Sequence, residues 1–276
     1  MANSSLVNQL LNDLRAGDDQ KQRHALYRLA QLREPTALPV LLEMLKHKDR
    51  QMRILVVQTL SMIGDPAAVP ALVECLSDRS KDVRRAAAQA LALLGEESAT
   101  PGLVGALLGD DNSFVRWEAA KALRELADPA ALPELLEALL ADTNSYVRYA
   151  AAEALGAIGT ESALDGLEHA LLSDENDYVR FAAAKALGQI ADPTSTPALI
   201  KALNHPNSHV WHAAAEALWM MDEEVMPYII EGLMSPDMDT RRAALKASLW
   251  LSAEHDDEEV ANRDDLDWID TWGWWN

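Results

Sequence analysis

The sequence predicts an all-α fold, a right-handed α-solenoid of about eight helical hairpins. Three observations predict it. A motif recurs with central residues Arg23, Arg53, Arg84, Arg116, Arg148, Arg180, Trp211 and Arg241, at steps of 30, 31, 32, 32, 32, 31 and 30 residues. A second column keeps step with it: Pro39, Pro70, Pro101, Pro133, Asp165, Pro197 and Pro227. Within each unit, apolar residues fall at helical spacing and an alanine-rich run follows the central residue. A fixed period of this size means that each unit packs only on its neighbours, and the stack as a whole buries the core.

Residues 65–95 show one unit in order. Asp65 and Pro66 read as a helix N-cap and first turn, where proline's missing N–H costs nothing. Leu72, Val73 and Leu76 give the first helix one apolar stripe. Ser77 to Ser80 is polar turn material, and Asp82 begins the second helix. Ala86, Ala87, Ala90 and Leu91 allow a neighbouring helix to approach closely, and Gly95 ends the helix as a left-handed cap, as Gly64 and Gly159 do in other units. Repeats of this kind fill residues 1–251 as one domain; an acidic, tryptophan-rich tail or cap occupies 252–276.

The repeated form DPxAxPxLxxxL…D…VRxAAAxALGxIG, carried by the segments VRRAAAQALALLG, VRWEAAKALREL, VRYAAAEALGAIG and VRFAAAKALGQIA, resembles HEAT repeats. The likeness is to the short class named after the phycobilisome lyases, within the armadillo/HEAT superhelix group, and covers roughly residues 5–251. It implies an aspartate–arginine ladder between units, since Asp78, Asp110, Asp142 and Asp174 each lie six residues before a central arginine. It also implies that the second helices line a concave face.

Composition narrows the function classes. Net charge is −20, split as +3 over residues 1–85 and −23 over 86–276. So acidic a surface repels phosphate backbones, which disfavours nucleic acid as a partner. No apolar run reaches membrane-spanning length, and the N-terminus lacks the charge and apolar core of a signal peptide. The single cysteine, Cys75, falls on an apolar helix side and reads as a buried structural thiol. The expected location is the cytoplasm.

The candidate site is a column of rings. Two residues before and one after the central slot, the middle units carry Phe114 and Trp117, Tyr146 and Tyr149, Tyr178 and Phe181, then His209 and His212. Residues three apart share a helix face. The same face continues through Lys121 and Arg124, Glu153, Lys185, and Glu216 with Trp219. Outer units carry Gln51 and Ile54, Asp82 and Arg85, and Asp239 and Arg242 instead. The expectation is a row of aromatic pairs about 9–10 Å apart on the concave side, with rigid contact area of the kind binding hot spots use. The alternative is that the rings pack between units as core.

Unit seven departs twice, with His205 in the aspartate slot and Trp211 in the arginine slot, which predicts a missing rung. His205, His209 and His212 then fall within eight residues and form a minor candidate metal site. The tail carries nine acids, one base and Trp268, Trp272, Trp274 and Trp275. It reads either as a cap on the last unit or as an acidic-aromatic arm for a partner or for the chain's own groove.

No nucleophile–base pair, phosphate-binding glycine loop or metal motif is present, so no enzyme activity is expected. The repeat is also similar to that of deoxyhypusine hydroxylases, which hold two irons with His-Glu dipeptides. None of the seven histidines here is followed by Glu. The expected function is a non-catalytic protein-binding scaffold, without cofactor, for a basic or an extended protein segment. The likeness to phycobilin lyases implies the alternative, a lyase subunit or tetrapyrrole chaperone whose groove stacks a bilin near Lys121, Arg124 and Lys185. Residues 23–30, RHALYRLA, lack the Tyr/Trp-rich first repeat of those lyases.

Overall fold

A computed structural model describes residues 2–252; the 252–276 tail therefore lies, after its first residue, outside the described residues. Among the described residues there are sixteen α-helices and no strand. They form eight hairpins: α1 (Ala2–Arg15) with α2 (Asp19–Leu32), α3 (Leu38–Met44) with α4 (Arg50–Ile63), α5 (Val69–Cys75) with α6 (Lys81–Leu94), and α7 (Thr100–Gly109) with α8 (Ser113–Leu126). Then follow α9 (Leu132–Ala141) with α10 (Ser145–Ile158), α11 (Leu164–Ser173) with α12 (Asp177–Ile190), α13 (Thr196–Ala202) with α14 (Ser208–Met220), and α15 (Met226–Leu233) with α16 (Met238–Ser252).

Each unit after the first opens on a 3₁₀ turn rather than directly on a helix. In unit three, Asp65 accepts the N–H of Ala67 over Pro66–Ala68, and the turn runs into α5 at Val69. The proline column thus sits at the start of the first helix, where its fixed φ suits the helix and its missing N–H leaves no bond unmade. The second helices α2 to α12 end in the left-handed region, at Gly64, Gly95 and Gly159 as expected, whereas α14 ends right-handed at Met221. Arg33, Ala127 and Ala191 hold the same conformation without a glycine, which strains the backbone at those three caps.

The left-handed caps also fix the register, and they correct one assignment. The cap falls eleven residues after the central arginine in units two to six, whereas Arg33 is ten after Arg23. The central slot of unit one is therefore Gln22, which is buried and donates from Nε2 to Leu14 O at 2.8 Å. Arg23 sits one place further on, exposed, in a 3.4 Å pair with Asp49.

From α2 to α14 the second helices pack on one another far more closely than the first helices do. Alanine and glycine permit this: a Cβ on Gly156 would lie 2.9 Å from Ala186 Cα, and one on Gly188 2.9 Å from Ala217 Cα. A stack with one layer spaced more tightly than the other bends toward the tight layer. The second helices thus form the inner, concave side.

Candidate binding face of the second helices

The ladder holds the face in register. Arg53 reaches Asp78, Arg84 reaches Asp110, Arg116 reaches Asp142, and Arg148 reaches Asp174, each through Nε and Nη2 to the two carboxylate oxygens at 2.6–2.9 Å. Each aspartate also accepts the N–H two residues on, and Nη1 of Arg84, Arg116 and Arg148 donates to the carbonyl of its own unit's aspartate. Burial alone would raise the Asp78 and Asp110 carboxyls. The bonds from Arg53 and Ser80, and from Arg84 and Asn112, outweigh it and hold both below the ordinary aspartate value. Bonds to their aspartates raise the pKa of Arg84, Arg116 and Arg148.

Among the described residues the rungs stop at both ends. At the first junction, Gln22 and His47 stand where arginine and aspartate would. At the sixth, His205 replaces the aspartate, and Arg180 turns back to donate to Asp174 O at 2.6 Å and Leu172 O at 2.9 Å. A lighter clasp spans that junction: Asn207 Nδ2 donates to Asp177 Oδ2 at 2.8 Å, and His205 Nε2 lies 3.6 Å from Asp177 Oδ1. The missing rung at His205 was legible in the sequence. Its counterpart at His47 was hidden by the misplaced slot of unit one.

The aromatic column divides in two. Phe114, Tyr146 and Tyr178 are 59%, 60% and 47% exposed at the starts of α8, α10 and α12. Asn112, Asn144 and Asn176 cap those starts by accepting the ring residues' own N–H groups. Trp117, Tyr149 and Phe181, three residues on, are half-buried and pack against the core. The expectation of a docking surface therefore holds for the first ring of each pair, and the core alternative takes a share of the second.

Charged neighbours are tied to the face. Lys121 Nζ sits 4.3 Å from the Trp117 ring centre and Lys185 Nζ 5.5 Å from that of Phe181, both cation–π contacts. Arg124 is spent on Glu125 and on Glu153 of the next unit, whose other oxygen accepts the Tyr149 hydroxyl. Arg124 and Glu153 thus link α8 to α10. Trp219 is exposed near the end of α14, and Glu216 is half-buried one turn earlier.

The three histidines do not converge. His205 lies in the loop before α14 and accepts the Asn207 N–H at Nδ1, with Asp177 at its other nitrogen. His209 is exposed on the first turn, and His212 packs with Trp211 and Trp250 at ring-centre distances of 3.7 and 5.9 Å. Among the described residues no three His, Cys, Asp or Glu side chains gather as metal ligands, so the candidate metal site is set aside. Cys75 is buried, and burial first, then Asp78 and Glu74, push its thiol to about 11, which suits a structural thiol and not a nucleophile.

The family model for HEAT repeats matches residues 6–92, 69–156, 100–184 and 164–250, which together span almost all of the described chain. The chain belongs to the HEAT-repeat family. Among solved HEAT-like structures, an engineered protein shares 24% identity over 89% of this chain and 78% of its own, with a TM-score of 0.55, and so shares the fold. Human deoxyhypusine hydroxylase in complex with glycerol is 23% identical over 91% of this chain and 97% of its own, at a TM-score of 0.43. The complex of CpcE and CpcF of phycocyanin lyase from Nostoc sp. PCC7120 gives 21%, 89%, 93% and 0.48. At those scores the last two likenesses decide nothing about this chain's activity. Among curated proteins, none matches the sequence. No helix among the described residues is long and apolar enough to cross a membrane.

Proposed function

We propose that this HEAT-repeat chain is a non-catalytic scaffold that binds an extended protein segment along the inner face of units four to six. The observation that carries this reading is the exposed ring on three successive second helices, Phe114, Tyr146 and Tyr178. Neighbouring second helices lie about 8–10 Å apart. An extended strand rises about 3.3 Å per residue, so every third residue of a segment crossing the helices meets a new ring. Lys121 and Lys185, two units apart and in no ion pair among the described residues, would receive carboxylates of that segment. The two lysines favour a segment that carries a carboxylate at each of those two points. No cofactor enters this reading.

A bilin does not fit the residues present. Arg124 is committed to two glutamates, and Lys121 and Lys185 stand on helices two steps apart, about 16–20 Å. That is too far for the neighbouring propionates of one tetrapyrrole.

A photo-crosslinking residue placed at position 146, with another at Gln51 as control, tests the reading. The same protein captured at 146, absent at 51 and lost on Phe114→Ala with Tyr178→Ala, would support it. Equal capture at both positions would remove it.

A further inference from the structure

The rings of the inner face repeat at a distance that selects one backbone conformation for what they bind. Phe114, Tyr146 and Tyr178 are exposed in the same slot of α8, α10 and α12. Each shares a helix face with the half-buried ring three residues on, Trp117, Tyr149 or Phe181, so three successive units present three aromatic slots. Helices packed through alanine and glycine lie about 8–10 Å apart. On the inner side of a bend the side chains draw together, so the slots repeat at that distance or slightly less. A β-strand returns a residue to the same side every second position, after about 6.7 Å, which is too short. An α-helix does so after seven residues and about 10.5 Å, which is too long. A polyproline II helix has three residues per turn and returns every third residue after about 9.3 Å.

We propose that the segment bound by units four to six is a proline-rich one in the polyproline II conformation, with every third residue a proline seated in one aromatic slot. This rests on the reading of that face as a protein-binding groove and names its partner. Six steps of such a helix advance about 19 Å, within the 16–20 Å or so between α8 and α12. Aromatic slots suit the apolar proline ring, and the conformation exists before docking, so little freedom is lost. Charge sets the register. Lys121 and Lys185 lie two helical turns beyond Phe114 and Tyr178, about 10 Å to one side of the ring row. In a threefold helix one of the two residues between successive prolines leans to that side. Carboxylates there, beside the first and third prolines, meet the two lysines. A carboxylate beside the middle proline would meet Glu153, which already accepts Arg124 and Tyr149, so that residue is uncharged. The ring row ends at Asp82 in unit three and His209 in unit seven, so three slots define the site.

Titration of the full chain with a labelled nonapeptide, read by fluorescence anisotropy, tests this. The peptide carries proline at its first, fourth and seventh positions, glutamate at its second and eighth, and alanine elsewhere. It is expected to bind at least about tenfold more tightly than a control of the same composition with its prolines at the first, third and fifth positions. Phe114→Ala/Tyr178→Ala should cost at least about tenfold, and Lys121→Gln/Lys185→Gln should weaken binding and remove most of its salt dependence. Equal binding of the two peptides, no binding at millimolar peptide, or binding that the ring variant leaves unchanged would overturn the proposal. Capture at position 146 of a protein segment that lacks the proline period would also overturn it, while leaving the groove itself standing. Loss of that capture together with loss of peptide binding would remove both.

Discussion

Arg148 grips Asp174 of the following unit with Nε and Nη2 at 2.7 and 2.9 Å, and the two side chains are only 8% and 7% exposed. A buried pair with both carboxylate oxygens bonded repays much of its desolvation only while both partners remain. Arg148→Met should therefore cost about 3–5 kcal/mol in chemical denaturation. Adding Asp174→Leu should recover most of it, since no charge is then left alone. A single substitution as mild as a surface change would show that the rung is not holding the junction.

Acid should act through the same rungs. Asp78 and Asp110 titrate below the ordinary aspartate value when folded, so the unfolded chain takes up their protons first as pH falls. Their contribution is complete above about pH 4 and is lost as pH falls through the folded values. Asp110→Asn should flatten the acid limb of stability below about pH 4, compared with the native chain over the same range.

Ala191 ends α12 at φ 55°, where Gly64, Gly95 and Gly159 end theirs at 69–78°. The left-handed region costs an L-residue about 1–2 kcal/mol. Glycine removes that strain at the expense of some backbone entropy, so Ala191→Gly should raise the melting temperature by a few degrees. No rise would mean that the cap tolerates the Cβ without strain.

The two ring columns should separate by experiment. Phe114→Ala with Tyr146→Ala removes exposed rings and should leave stability within about 0.5 kcal/mol per site while abolishing partner capture. Phe181→Ala opens a half-buried contact with the core and should lower stability by about 1–3 kcal/mol. Equal losses from both sets would make the whole column structural.

Much of this was legible in the sequence because a solenoid writes its contacts at a constant period. The rungs Arg53–Asp78 to Arg148–Asp174 follow from spacing once the family's ladder is recognised, and the caps at Gly64, Gly95 and Gly159 follow from glycine alone. The slot of unit one was misread because Arg23 copies the residue type while Gln22 does the burying, and only backbone geometry tells them apart. The split between Tyr146 and Tyr149 was hidden for a related reason. Positions three apart share a face but not a depth, and the second lies nearer the seam with the next helix. The histidines do not converge because closeness in sequence around a helix start sends side chains to a loop, an exposed first turn and a half-buried contact with two tryptophans.

The four full rungs join units two to six and, among the described residues, are absent at the first, sixth and seventh junctions. That makes units two to six a cross-tied central girder, with the outer junctions held by helix packing and lighter polar contacts. The three exposed rings ride on the girder, so their mutual spacing is set before any segment arrives.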